Sequence, residues 1–152
     1  MDDVKKAAFT FRALVEAAPK EGLPISLQNF PNGACGDTTL LLGRYLTELG
    51  HGEFRYYLGR RDGRSHAWLQ RGPLIVDITA DQFDDFDDPV FVADGSPWHG
   101  VFAGEDQHAA DPTVFGEPIT SSLAAAYTLI VGNPQDQHPH TICQSLAKRT
   151  SL

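Results

Sequence analysis

Near the N-terminus, apolar residues recur three and four positions apart, which is the spacing of one face of a helix. The pattern covers residues 3–18 and ends at Pro19. Its apolar positions are Val4, Ala7, Ala8, Phe11, Leu14, Val15 and Ala18. Residues 23–34 lack this pattern and contain two prolines and a glycine, so they are predicted to form a loop.

A second helical pattern begins near Cys35. Leu42, Leu46 and Leu49 keep the helical spacing, and Gly50 stands where a glycine commonly ends a helix. The sequence therefore predicts a helix that opens at the cysteine and runs for about four turns.

The period then changes to that of a strand. Apolar and polar residues alternate from 54 to 58, Asp62-Gly63 is a hairpin turn signal, and residues 65–69 and 74–78 follow as two further strands. Helices followed by an antiparallel sheet predict an α+β fold. No repeat or linker divides the pattern, so residues 1–152 are expected to form a single domain.

Beyond the predicted sheet the pattern weakens. Residues 120–131 suit a helix or a strand, because a helix-favouring first half precedes a strand-favouring second half. Residues 133–140 are polar and predicted to form a loop, and residues 141–148 are predicted to form a short terminal helix.

Composition narrows the class of protein. Of the 152 residues 41% are hydrophobic, which is typical of a folded core, and the net charge of −8 argues against electrostatic binding of nucleic acid or an anionic membrane. No apolar stretch is long enough to span a bilayer, and Arg12 and Glu16 interrupt any signal-like segment. We therefore expect a cytoplasmic protein, in which two cysteines do not indicate a disulfide framework.

Cys35 stands in a glycine-flanked turn that opens the second predicted helix. The first turn of a helix has free N–H groups and a partial positive charge, and both favour a thiolate over a thiol. The same N–H groups could bind the oxyanion that forms when a thiolate attacks a carbonyl. Cys35 is therefore a candidate nucleophile; the alternative is a small buried residue that packs at the helix start.

His66 and Asp77 could supply the partners that such a nucleophile needs. A four-residue loop at 70–73 would pair Leu69 with Leu74. In that register His66 faces Asp77 directly, close enough for a hydrogen bond between imidazole and carboxylate. Both side chains then lie on one face of the sheet, opposite a uniformly apolar face.

Acyl-transfer chemistry gives these three residues distinct roles. Cys35 would attack a carbonyl, His66 would take its proton and later return it, and Asp77 would orient His66. Each residue alone also has an ordinary structural interpretation, as a packed cysteine, a half-buried histidine in a strand or a carboxylate that caps a turn.

Residues 66–79, HAWLQRGPLIVDIT, resemble the His-Ala-Trp…Asp-x-Thr signature of the transglutaminase-like branch of the papain-like cysteine protease superfamily. The upstream Gly-Ala-Cys-Gly-Asp resembles the nucleophile segment of that family, whose order of Cys, His and Asp is met by Cys35, His66 and Asp77. The resemblance covers residues 30–83. It implies a papain-like, transglutaminase-like core, in which a helix carrying the cysteine packs on an antiparallel sheet carrying the histidine and the aspartate.

The resemblance also implies an activity. It predicts a cysteine hydrolase, a thiol protease or deamidase, that cleaves amide bonds of a peptide or protein substrate through a thioester on Cys35 and needs no cofactor. Transfer of the acyl group to an amine, as by a transglutaminase or N-acyltransferase, is the alternative within the superfamily. A catalytically silent binding module on the same fold is the alternative from another class.

Three further residues are candidates for the oxyanion hole or substrate site. Gln28 resembles the glutamine that precedes the nucleophile in papain-like proteases, Gly36 would let a substrate backbone approach, and Trp68 shares the face of His66. The structural alternatives are an exposed loop glutamine and a core tryptophan.

Two other patterns predict no site. Residues 81–88 carry five aspartates without the spacing of a calcium loop, and a solvated acidic loop is expected there. The histidines of the C-terminal half lack the spacing of metal ligands, and Cys143 stands alone, so no metal site is expected. These histidines are His99, His108, His138 and His140.

Overall fold

A computed structural model describes residues 1–132 of the protein. These residues form helices α1 (Asp2–Ala17), α2 (Ile25–Gln28), α3 (Cys35–Glu48), α4 (Pro97–Gly100) and α5 (Ile119–Val131). The strands are β1 (Arg55–Arg61), β2 (Arg64–Arg71), β3 (Leu74–Asp77), β4 (Phe91–Asp94) and β5 (Glu105–Ala109). The predicted α+β class is confirmed. Predictions for 133–140 and 141–148 fall outside the described residues.

The two long N-terminal helices form where the apolar spacing predicts them. α3 begins at Cys35, and Gly50 adopts a φ of 88° just past its end, where the His51 N–H donates to the Leu46 carbonyl. The ambiguous segment 120–131 lies in helix α5. It is a helix because four residues at helical spacing are buried together, namely Leu123, Ala126, Tyr127 and Ile130. Among the helices of residues 1–132, none combines the length and apolar character that crossing a bilayer requires.

All five strands are antiparallel, in the order β4-β3-β2-β1-β5. Alternate residues of the sheet enter two separate clusters. Leu69 and Val76 join the main core with α1, α3 and α5, whereas Trp68 and Ile75 join a second cluster of largely aromatic side chains. Strand alternation places His66 with this second cluster, since it lies two residues before Trp68.

The predicted register between the second and third strands is wrong by two residues. Leu69 pairs with Val76, not with the predicted Leu74, because the hairpin closes through a two-residue turn at Gly72-Pro73. Gly72 has a φ of 57°, which suits the first central position of such a turn. A shift of two keeps every side chain on its predicted face, whereas a shift of one would reverse them.

Four elements were not predicted from the sequence, namely α2, β4, α4 and β5; α2 is one turn of helix inside the predicted loop 23–34. β4 pairs with β3, and β5 pairs with β1 at the opposite edge of the sheet. α4 is one short turn, started by Ser96, whose hydroxyl accepts the His99 N–H, and by Pro97 at the first helical position. This turn lies beside the strand residues that carry the candidate site.

Candidate active site

Cys35 is the first residue of α3 and is partly exposed to solvent. Its helix packs against β2. The last three residues of β2, Leu69 to Arg71, pair with β3, and the residues before them do not. The preceding part of β2 can therefore bond elsewhere, and the Ala67 N–H donates a hydrogen bond to Cys35. The thiol thus lies at the start of a helix and next to the backbone of the strand that carries His66.

His66 and Asp77 form a buried hydrogen-bonded pair. His66 Nε2 lies 2.6 Å from Asp77 Oδ2, and the two residues are 0% and 2% exposed. In the observed register Asp77 continues β3 opposite Trp68, so His66 reaches the carboxylate diagonally. The predicted contact therefore exists, although the predicted direct pairing does not.

Asp77 accepts hydrogen bonds on both carboxylate oxygens. Oδ1 accepts the Thr79 backbone N–H at 2.9 Å, with the Thr79 hydroxyl at 3.4 Å. Oδ2 lies 2.6 Å from His66 Nε2 and 2.7 Å from His99 Nε2. An ionised carboxylate accepts only, so both imidazoles donate from Nε2 to the same oxygen.

The sequence does not predict this role of His99, because residues 94–118 show no clear period and the histidine suggests at most a metal ligand. The signal that could have located it is the Ser96-Pro97 pair, which is typical of a helix start and predicts a turn that buries one face. His99 is 1% exposed and packs edge-on against the rings of Trp68 and Trp98.

Electrostatics couple Cys35 to His66. Burial alone would raise the pKa of the Cys35 thiol, but the hydrogen bond and charge of His66, with the Ala67 N–H, bring that pKa below its ordinary value. Burial alone would lower the pKa of His66, but the charge and hydrogen bond of Asp77, and then Cys35, raise it to about 9. These opposite shifts favour a thiolate beside an imidazolium at neutral pH.

Asp77 remains ionised despite its burial. Burial would raise the pKa of its carboxyl, but the charge and hydrogen bond of His66, followed by those of His99, hold the pKa well below its ordinary value. The site therefore places an ionised carboxylate behind His66, whose raised pKa favours its protonated form, and His66 lies next to a cysteine whose pKa is lowered.

The linked shifts give an expected pH dependence of stability. Between pH 6.5 and about 9, folded His66 holds a proton that the unfolded chain has lost, whereas the lowered pKa of Cys35 makes the folded thiol lose its proton at a lower pH than the unfolded thiol does. The two contributions oppose each other in the native protein. Cys35→Ala removes the second contribution and keeps the part of the His66 shift that Asp77 causes. As the pH rises, its free energy of unfolding is therefore expected to fall by up to about 1.4 kcal/mol per pH unit relative to the native protein.

Urea unfolding at several pH values between 6.5 and 9 measures this difference, with Cys143→Ser in both proteins. Stability from His66 is complete below pH 6.5, because both states are protonated there, and is lost as the pH rises through about 9. Parallel stability curves for the two proteins would show that Cys35 and His66 do not share a proton in this way.

Aromatic side chains surround His66. Its ring centroid lies 5.1 to 5.8 Å from four other rings, those of Trp68, Phe83, Trp98 and Phe102. Trp68 is 2% exposed, and its indole N–H donates to Gln70 Oε1, so it belongs to the core as well as to the wall beside His66. This shell keeps water from the His66–Asp77 pair and strengthens its electrostatic interaction.

Gln82 connects the two halves of the site, although no motif in the sequence distinguishes it. Its Oε1 accepts the Gly33 N–H at 3.3 Å, and its Nε2 donates to the Thr79 carbonyl and lies 3.5 Å from His66 Nδ1. The loop before Cys35 is thereby joined to the segment that follows Asp77.

The oxyanion role predicted for Gln28 is not supported. Gln28 is exposed at the end of α2, and its amide donates to the Leu23 carbonyl at 3.0 Å. Gly36 instead lies beside Tyr56, since a Cβ at Gly36 would be 3.3 Å from the Tyr56 hydroxyl oxygen. Burial, with the charges of Cys35 and Asp37, raises the pKa of Tyr56 to about 12, so this hydroxyl stays protonated and can donate.

The predicted acidic loop at 81–88 is partly paired. Asp81 accepts from Arg12 at 2.7 Å, and Asp85 accepts from Arg61 at 2.7 Å. Among the described residues, His66, Asp77 and His99 are the cluster whose atoms lie close enough to hold a metal ion, all within 4.8 Å. Their 2.6 and 2.7 Å contacts are those of charge-assisted hydrogen bonds, and an ion there would have to replace both shared protons.

Comparisons with protein-family models, curated protein sequences and solved structures found no match to this chain.

Proposed function

We propose that the protein is a cysteine hydrolase that cleaves peptide or side-chain amide bonds through a thioester on Cys35. The observation that carries the proposal is the buried His66–Asp77 hydrogen bond beside a partly exposed cysteine with a lowered pKa at a helix start. A cysteine that served only packing would need neither the imidazole nor the buried carboxylate behind it.

The proposed reaction begins with the thiolate–imidazolium pair. The Cys35 sulfur attacks the amide carbonyl, and as the C–N bond breaks, His66 gives its proton to the leaving amine. Because Asp77 holds Nε2, the nitrogen that exchanges protons is Nδ1. His66 then takes a proton from water as the resulting hydroxide attacks the thioester, and cleavage of the C–S bond releases the acid and restores the pair.

Two kinds of donor would stabilise the oxyanion in this reaction. The first turn of α3 offers free backbone N–H groups at Cys35 and Gly36. The Tyr56 hydroxyl, next to Gly36, would supply a side-chain donor in place of Gln28. Tyr56 is stacked on His108, with ring centroids 4.8 Å apart, so its orientation is fixed before substrate binds.

A test of this proposal uses a library of peptide amides with mass-spectrometric detection of cleavage and of the acyl-enzyme. The native protein is expected to form a thioester adduct on Cys35 and to release an acid, and Cys35→Ser is expected to do neither. Tyr56→Phe should keep the alkylation rate of Cys35 but lower kcat by about a hundredfold, the usual effect of losing one oxyanion donor. Rapid alkylation without any acyl-enzyme across the library would instead favour the binding module.

A second candidate, acyl transfer to an amine, is favoured by the aromatic shell. Water is excluded around His66, which would protect a thioester from hydrolysis. The partial exposure of Cys35 favours hydrolysis. Adding a primary amine during turnover separates the two, since transfer gives a new amide and hydrolysis gives the free acid.

A further inference from the structure

The carboxylate behind His66 has a second histidine on the same oxygen. His99 Nε2 lies 2.7 Å from Asp77 Oδ2, and His99 is 1% exposed. The three-residue mechanism above uses only one of the two imidazoles bonded to this oxygen. A buried polar group placed so close to the proposed proton-transfer chain needs an explanation of its own.

Both ring nitrogens of His99 have partners. Nε2 carries a proton, because the ionised carboxylate can only accept. Nδ1 lies 2.7 Å from Ser96 Oγ, and the same oxygen accepts the His99 backbone N–H at 3.2 Å. The Ser96 hydroxyl can donate to Nδ1 of a neutral ring or accept from Nδ1 of a protonated ring, so this contact fixes the ring in either state.

Packing alone does not explain this arrangement. The His99 ring lies 4.9 to 5.2 Å from the rings of Trp98, Trp68 and Phe91, contacts that a phenylalanine would also make. What a phenylalanine could not supply is the donor to Asp77 Oδ2. That donor holds the oxygen in line with His66 Nε2. It also keeps the carboxylate ionised, so that the imidazolium of His66 keeps its counter-charge.

We propose that His99 is a positioning residue of the site, and that Ser96, His99, Asp77, His66 and Cys35 act as one hydrogen-bonded chain. This inference rests on the proposed function, because it assigns His99 a part in activating Cys35. His99 touches no reacting atom and acts through Asp77.

Loss of the His99 donor has a definite expected direction. Two titratable groups contact Asp77, namely His66 of β2 and His99 of α4. Beyond His66 lie Cys35 of α3 and then Tyr56 of β1. The guanidinium groups of Arg61 and Arg64 lie over Phe83. Without His99, a buried carboxylate is left short of a donor and takes up a proton more readily, so His66 loses its counter-charge and the thiolate forms only at higher pH.

Two substitutions separate the donor from the ring. His99→Phe keeps an aromatic ring and removes the donor, whereas His99→Gln removes the ring and can place an amide N–H near the position of Nε2. The rate of Cys35 alkylation by iodoacetamide is measured against pH in both, with Cys143→Ser as the common background. The acid limb is expected to move up by about one pH unit in His99→Phe, a tenfold loss of rate on that limb, and to remain near the native position in His99→Gln.

A cavity allows chemical rescue as a second measurement. Ser96, His99 and Trp68 line a cavity of about 310 Å³, which adjoins the position of the His99 ring. Imidazole added to His99→Ala is expected to restore part of the lost reactivity, an effect that a general loss of packing would not show. If His99→Phe does not fold, Ser96→Ala provides the same test, with a smaller shift in the same direction.

The outcomes distinguish this inference from the proposed function. Native-like pH profiles in His99→Phe and Ser96→Ala would overturn the positioning role, while a continued loss of reactivity in His66→Gln would leave the hydrolase proposal standing. Equal losses in His99→Phe and His99→Gln without rescue by imidazole would reduce His99 to a packing role. If Cys35 of the native protein is alkylated only at the pH at which an ordinary thiol ionises, the proposed function itself fails.

Discussion

Replacing His66 by glutamine is expected to lower the rate of Cys35 alkylation at pH 6 by one to two orders of magnitude. The native thiol has a lowered pKa because His66 bonds to it and carries a charge beside it. Without the imidazolium, burial leaves the pKa of Cys35 at or above its ordinary value, so very little of the thiol is ionised at pH 6. The loss is smaller than the change in thiolate fraction, since a more basic thiolate is a better nucleophile.

The measurement is the second-order rate with iodoacetamide, with Cys143→Ser in all proteins. His51→Ala, three residues past the end of α3, is the matched control and should react as the native protein does. Circular dichroism at the same pH shows whether each variant is folded. A folded His66→Gln protein that reacts as fast as the native one at pH 6 would mean that His66 does not activate Cys35.

Asp77→Asn is expected to have the largest effect on both stability and reactivity. The carboxylate accepts from two buried imidazoles and from Thr79, and an amide cannot accept on its nitrogen. Breaking such a buried charged pair costs about 3–5 kcal/mol of unfolding free energy. The pKa of His66, which Asp77 raises to about 9, should fall, so rapid alkylation below pH 7 should be lost as well.

Urea unfolding and the alkylation profile together measure this effect. Asp94→Asn is the matched control, because Asp94 ends β4 and is exposed. Asp94→Asn should change the free energy of unfolding by no more than about 0.5 kcal/mol, and the alkylation rate should stay close to the native rate. An Asp77→Asn protein with native stability would contradict a buried charged network centred on this carboxylate.

The helices and the faces of the strands could be predicted because they depend on local periodicity. The helical spacing after Cys35 and the alternation around His66 both place their residues correctly, and burial of the alternate positions decides which face they take. The predicted register between β2 and β3 was wrong because Gly72 allows a two-residue turn where a four-residue loop was predicted. The site survives this error because a two-residue shift preserves the face.

Residues brought to the site by long-range packing could not be predicted in this way. His99 lies in a single short turn of helix. Gln82 lies in the segment 81–88, whose five aspartates predict a solvated loop. Tyr56 lies on β1, and it comes close to Gly36 and Cys35 only because α3 packs against the sheet. No local pattern specifies these contacts. The same limit applies to Gln28, which ends α2 and donates to the Leu23 carbonyl instead of reaching Cys35.

The central claim is that Cys35 is a thiolate paired with the imidazolium of His66 at neutral pH. The most direct measurement is a pH titration of thiolate ultraviolet absorbance in the Cys143→Ser protein, with Cys35→Ser added as the blank. We expect one thiolate per chain that titrates with a pKa below the ordinary value of 9.0 and is absent from the blank. A thiolate that appears only as the pH approaches 9.0 would contradict the account.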